Sequence, residues 1–98
     1  MLQRISTKQK AKNQEVAKIK AELPKRCAIC GQVGNDLAHL LPKSIYPEYY
    51  TKRENLVILC RRCHEEYDNN LSFRQQQYHL IEQVKAFDAL AANRYFRL

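Results

Sequence analysis

Apolar positions follow a helical spacing at both ends of this chain and shorter, denser runs in the middle. Val16, Ile19 and Leu23 recur at three- and four-residue intervals, with Ile5 and Ala11 less well placed, which predicts a helix over residues 6–23. Ser6 followed by Gln9 is a capping-box signature for its start. Pro24 ends it, because the residue before a proline is pushed out of the helical region. The first half of this helix is nearly all polar and is expected to order on binding. Residues 36–41 read as a short strand carrying His39, and Asn55–Leu59 as a second short apolar segment. The loop between them, Pro42–Arg53, holds Tyr46, Tyr49 and Tyr50. Residues 61–69 read as a short helix. A longer helix is predicted over 73–92, capped by Ser72 with Gln75 and carrying Leu80, Ile81, Val84, Phe87, Leu90 and Ala91 on one side. His79 falls on its polar side and is read as structural. Both glycines and all three prolines lie between residues 24 and 47, so the irregular backbone is concentrated there.

The chain has 98 residues, enough for one small domain with a modest core. Such a core around an irregular centre is expected to need a staple. Four cysteines supply the candidate: Cys27-x-x-Cys30 and Cys60-x-x-Cys63. The residues after Met1 contain no apolar run that would serve as a secretory signal, and no stretch approaches the roughly 20 apolar residues of a membrane span. A reducing, cytoplasmic setting is therefore expected, and paired Cys-x-x-Cys there points to a structural Zn²⁺ rather than to disulfides. The 29-residue insert between the pairs is expected to be a functional loop or hairpin closed at its base by the metal. Residues 25–36 would form the first knuckle, with Gly31 freeing backbone amides to face the thiolates, and Gly34-Asn35-Asp36 reads as a turn.

Charge narrows the partners. The formal net charge is +7, and residues 1–26 carry eight basic side chains against Glu15 and Glu22. A basic arm of this kind, including Lys8 and Lys12, fits a polyanion, with a solvated helix face as the bland alternative. A membrane surface is disfavoured, because the arm has no large aromatic residue to insert.

The order Cys27-x-x-Cys30, His39-x-x-Pro42, Asn55, Cys60-x-x-Cys63-His64 resembles the HNH endonuclease family over residues 25–70. The resemblance implies a small α+β fold: a ββα-metal nuclease core stapled by a four-cysteine zinc site. It would be flanked by the basic N-terminal helix or arm (1–24) and the C-terminal amphipathic helix (71–98), all within one domain. It also implies a metal-dependent endonuclease that hydrolyses DNA and leaves a 3′-hydroxyl and a 5′-phosphate. His39 would be the general base, Asn55 would orient it through a hydrogen bond, and His64 would hold a catalytic Mg²⁺, Mn²⁺ or other divalent cation.

The residues suit those roles. A neutral imidazole is an effective base near neutral pH, and a divalent cation can bridge scissile phosphate and leaving group. Asp68 lies four residues after His64, on the same helix face, and is the candidate second ligand. Lys43, Lys52, Arg53, Arg61 and Arg62 surround the site in sequence and could hold phosphates. The loop tyrosines are read as packing residues, with base stacking as the alternative. One position departs from the family pattern: many members carry an acid or second histidine directly before the base, where this chain has Ala38, with Asp36 as a candidate substitute.

With no evident sequence-reading domain, low sequence specificity or a preference for DNA structure is expected. A nuclease of this size suits a phage or mobile element. Two other classes remain open: a non-catalytic zinc-knuckle module that binds nucleic acid, and an accessory subunit docking through its C-terminal stripe. A homodimer through the terminal helices is a further open arrangement.

Overall fold

The computed structural model describes residues 7–98. In chain order it contains α1 (Thr7–Glu22), β1 (Asp36–His39), β2 (Leu56–Leu59), α2 (Arg61–Asn69), α3 (Leu71–Gln75), α4 (Tyr78–Lys85) and α5 (Ala89–Tyr95). Single 3₁₀ turns at Pro47–Tyr49 and Arg53–Asn55 punctuate the loop between the strands. The architecture is thus small α+β, with one two-stranded antiparallel sheet and five α-helices among the described residues.

The strands pair Asp36 with Leu59, Leu37 with Ile58, Ala38 with Val57 and His39 with Leu56. All four residues of β2 are buried, so it reads as an unbroken apolar run rather than an alternating one. Helix α2 packs on both strands. Its Tyr67 is fully buried and donates a 2.7 Å hydrogen bond to the Leu40 carbonyl just past β1. Leu40, Leu41, Leu59, Leu80, Val84 and Phe96 complete the centre of the core.

Helix α1 is formed along its polar first half, from Thr7 onward; Ser6, expected as its cap, and Ile5 lie outside the described residues. Only Ile19 of α1 is buried. The helix is tied to the inter-strand loop by Tyr50, whose hydroxyl donates to Asn13 Oδ1 at 3.0 Å, and by the Arg53–Glu22 ion pair.

The C-terminal segment departs from the sequence expectation. The continuous helix expected over 73–92 is three short helices with breaks at Gln76–Gln77 and Ala86–Asp88. Ser72 is not the cap. Asn70 caps α3 by accepting from the Phe73 amide at 3.2 Å, and Asp88 caps α5 by accepting from the Ala91 amide at 2.9 Å. Asp88 thereby offers the backbone a local alternative to continuing α4, whereas no side chain caps α4 itself at Gln77. The breaks turn Leu90 outward, to 72% exposure, while Leu80, Ile81, Val84 and Ala91 stay buried.

Gly34 is required by close approach. A Cβ there would stand 2.9 Å from the backbone nitrogen of Cys60 and from the Leu59 carbonyl carbon. Neither backbone atom can swing away as a side-chain tip could. Gly34→Ala is therefore expected to destabilise the fold by about 1–3 kcal/mol, read as a lowered denaturant midpoint; an unchanged midpoint would show that the two knuckles are not held this closely.

Candidate metal centre and histidine cleft

The knuckles are two turns meeting at one edge of the sheet. The first is a tight loop in which the Cys27 amide donates to the Gln32 carbonyl (2.7 Å) and Gly31, at φ 77°, reverses the chain. The second is the entry to α2, where Cys60 is the N-cap and its sulfur accepts from the Cys63 amide at 3.5 Å. Antiparallel pairing brings them together, because the start of β1 lies beside the end of β2.

The four sulfurs all lie within 4.8 Å of one another, and all four cysteines are free. The Cys30 and Cys60 sulfurs are 3.8 Å apart. That is far beyond a disulfide bond and close to the edge of about 3.8 Å that a tetrahedron of roughly 2.3 Å zinc–sulfur bonds requires. The donor set is therefore compatible with a structural zinc.

The electrostatics suit a cation-binding cluster. Burial raises the Cys27 thiol, but amide hydrogen bonds from Cys30, Cys60 and Ile29 outweigh it and bring the group down to about 6. Burial and the neighbouring sulfurs push Cys63 well above the ordinary thiol range. One thiolate is welcome in this nest, and a second beside it is not, unless a dication neutralises them.

A separate cleft of about 440 Å³ brings together His39, Lys43, His64, Asp68, Arg74 and Tyr95. A larger cleft of about 570 Å³ between the end of α1 and β2 contains no histidine or aspartate. His39, His64 and Asp68 are thus neighbours in space, as the motif spacing led one to expect.

His39 is held at the end of β1. Its Nε2 lies 3.1 Å from the Tyr50 carbonyl, and its ring stacks on Tyr50 with centroids 5.0 Å apart and planes within 2°. A carbonyl only accepts, so Nε2 carries the hydrogen and Nδ1 keeps its lone pair. Burial lowers the His39 pKa below 6.5, offset in part by the Tyr50 bond, with His64 and Lys43 pushing the same way as burial.

Asn55 does not bond His39, contrary to the expectation. It is fully buried, and its side-chain amide pairs with Leu41 as a peptide would: Oδ1 accepts from Leu41 N at 2.8 Å and Nδ2 donates to Leu41 O at 3.1 Å. Nδ2 also donates to Tyr49 O at 3.1 Å. Asn55 thus fixes the peptide before the carbonyl that orients His39. Nothing in the spacing of the motif marked Tyr50 for that part.

His64 sits between two carboxylates. Its Nδ1 is 3.1 Å from Asp36 Oδ2, which Arg61 Nε also contacts at 3.0 Å, and its Nε2 is 3.3 Å from Asp68 Oδ2. Asp36 thus joins the site as a partner that orients His64. In the neutral ring one nitrogen donates to its carboxylate, and the other turns a lone pair toward the second carboxylate, a nitrogen–oxygen pair that could face a cation. Ala38 is fully buried and offers no ligand. Among the described residues, the four cysteines are the only group of three or more metal-ligating side chains whose donor atoms converge.

The other residues expected at a nucleic-acid surface are differently engaged. Lys43 lies over the Tyr50 ring at 4.4 Å, at the cleft. Lys52 approaches Glu54 at 3.8 Å and Phe87 at 5.3 Å. Arg53 and Arg61 are committed to Glu22 and Asp36. Arg62 and Lys8 are exposed, and Lys12 is half-buried on α1. Tyr46 and Tyr49 are packing residues; Tyr49 meets Phe87 edge-on and donates to Asp88 Oδ2 at 2.6 Å. His79 ties α4 to the first knuckle by donating to the Ala28 carbonyl at 2.6 Å. No helix among the described residues is long and apolar enough to cross a membrane.

No protein-family model, curated protein or solved structure matches this chain.

The lowered His39 pKa has a definite sign. Because the folded value lies below 6.5, the unfolded chain binds the proton more tightly. The associated stability is fully present above pH 6.5 and is lost as pH falls through the folded-state value. An NMR titration is expected to show His39 midpoint below 6.5, with Nε2 protonated in the neutral ring; a raised midpoint would contradict the burial argument.

Proposed function

We propose that this chain is a metal-dependent endonuclease of the HNH type that hydrolyses DNA phosphodiester bonds. The observation that carries the reading is the shared cleft: a neutral imidazole with a free Nδ1, His39, opens onto the same space as the His64–Asp68 pair and the Lys43 ammonium. The β1–β2–α2 order, with the cysteine knuckles at one end of the ladder, supports the reading of a ββα-metal core.

The roles follow from what each group can do. His39 Nδ1 takes a proton from the attacking water, while the Tyr50 carbonyl holds the ring and stabilises the imidazolium that forms. Lys43 places a positive charge beside the phosphate. His64 Nε2 and Asp68 would hold a divalent cation, with Asp36 fixing the His64 ring from behind as an outer-shell carboxylate does. When bound, that cation supplies charge stabilisation at the phosphate and leaving oxygen. A mixed nitrogen–oxygen pair with open positions suits a largely hydrated Mg²⁺ or Mn²⁺. The four-cysteine centre would hold Zn²⁺ and serve the fold rather than the reaction.

A second reading draws on Ala38: with two protein ligands at the cation site, the chain would be a zinc-knuckle module that binds DNA without cutting it. Plasmid nicking separates the two. With Mg²⁺ or Mn²⁺, the wild type is expected to cut, and His39→Ala to lose about 10²–10⁴ in rate. Equal cutting by wild type and variant would remove His39 as the base. No cutting by the wild type with any divalent metal would favour the binding module.

The zinc assignment has its own test. Native mass spectrometry is expected to find one zinc per chain. Chelation is expected to unfold the protein, since structural zinc contributes on the order of 10–16 kcal/mol in zinc-finger peptides. A zinc-free protein that stays folded would overturn it.

A further inference from the structure

We propose that the cleft formed by Arg74, Arg94 and Arg97 is a second phosphate site, which grips the DNA backbone beside the bond that is cut. The proposal rests on the nuclease reading for its placement but not for its chemistry. The cleft measures about 330 Å³ and is lined by Ile45, Tyr46, Arg74, Arg94, Tyr95 and Arg97. It shares Ile45, Arg74 and Tyr95 with the His39–His64–Asp68 cleft, so the two run into one another. A polyanion lying in the first would continue into the second.

The chemistry of the lining selects phosphate. It contains three guanidinium groups and no carboxylate. None of the three arginines pairs with an acid among the described residues. Asp88, whose field Arg94 feels, is already committed to the Tyr49 hydroxyl and the Ala91 amide. Guanidinium forks match phosphate oxygens in pairs, which is why arginine predominates where phosphate is recognised.

Arg74 is pre-organised at the junction. Its Nη1 donates to the Tyr67 carbonyl at 2.7 Å, and its guanidinium lies 4.4 Å from the Tyr95 ring centre and 5.8 Å from that of Tyr67.

Arg97 gives an independent pointer. It follows the end of α5 in the left-handed region, at φ 54°, where glycine is the favoured residue. The helix end is closed by the Leu98 amide donating to the Asn93 carbonyl at 3.0 Å, and Gln75 Nε2 donates to the Phe96 carbonyl at 2.9 Å. The residue in this position carries a guanidinium that lines the cleft together with that of Arg94.

Phosphate contacts of this kind position the strand without reading its sequence. The test uses that signature, in a His39→Ala background so that binding is measured without cleavage. Arg97→Gly relieves the left-handed strain and is expected to fold at least as well as the parent, which removes misfolding as an explanation; Arg94→Gln, at an exposed position, is added to it. Fluorescence anisotropy with a short duplex is expected to show weaker binding for all sequences alike. The slope of log affinity against log salt should fall by about 0.9 per arginine removed, so the affinity lost between about 50 and 200 mM salt shrinks by about tenfold in the double variant. Unchanged affinity and slope in the folded double variant would overturn the proposal. If the wild type cuts DNA and the double variant binds as its parent does, this cleft is excluded while the nuclease reading stands. If the wild type never cuts and binding still depends on Arg94 and Arg97, the phosphate site stands without the nuclease.

Discussion

The convergence of four sulfurs at one edge of a four-residue ladder is the constraint on which everything else hangs. Cys27 and Cys30 precede β1, and Cys60 and Cys63 follow β2, so antiparallel pairing is what makes them neighbours. Bringing them within 4.8 Å leaves no room for a side chain at Gly34, which lies against the backbone of Leu59 and Cys60. The same pairing decides where the histidines go. His64 directly follows Cys63, on the first turn of α2, while His39 pairs with Leu56 at the far end of the ladder. A strand rises about 3.3 Å per residue, so a ladder this short keeps His39 within about 10 Å of the knuckle edge and lets both rings reach one cleft. The cysteine cluster and the histidine cleft are thus linked by sheet geometry rather than by direct contact.

The far end of the ladder needs its own closure, because no cysteine reaches it. Asn55 and Tyr67 supply this. The Asn55 amide pairs with both backbone groups of Leu41, and the Tyr67 hydroxyl takes the Leu40 carbonyl. Both side chains are fully buried, where a lost partner costs more than a made bond gains. The Leu40–Leu41 peptide, one residue beyond His39, is therefore fixed from two directions. The Tyr49 carbonyl, held by the same Asn55 amide, fixes the loop that presents the Tyr50 carbonyl to His39. An asparagine expected to orient a histidine by touching it does so through one intervening residue.

What can be read from the sequence follows the range of the forces involved. The bounds of α2, the two strands and the grouping of the cysteines come from local spacing, since Cys-x-x-Cys and short apolar runs act over a few residues. His39, His64 and Asp68 are legible as a set because two of them ride one turn of one helix and the third ends a strand. Tyr50, Tyr67 and Arg74 are not, because their roles arise from contacts across the chain: Tyr50 with His39, Tyr67 with Leu40, Arg74 with Tyr95. Asp36 is an intermediate case, because strand alternation alone does not tell whether it faces α2. The ladder register and the His64 contact settle that it does.

The C-terminal segment differs from its sequence pattern for an instructive reason. Leu80, Ile81, Val84 and Ala91 are buried as the stripe leads one to expect, while Leu90 is not. What periodicity cannot register is an interruption. Asp88 caps a new helix, and the breaks at Gln76–Gln77 and Ala86–Asp88 fold the chain back on itself. A straight helix over about twenty residues would run about 30 Å and carry its end away from α2. The broken path instead returns Phe96 to meet the Tyr67 ring edge-on at 6.3 Å and sets Tyr95 against Arg74. One wall of the histidine cleft, Arg74 and Tyr95, therefore exists only because the helix is broken, and a fold with the predicted continuous helix would have left that cleft open on this side.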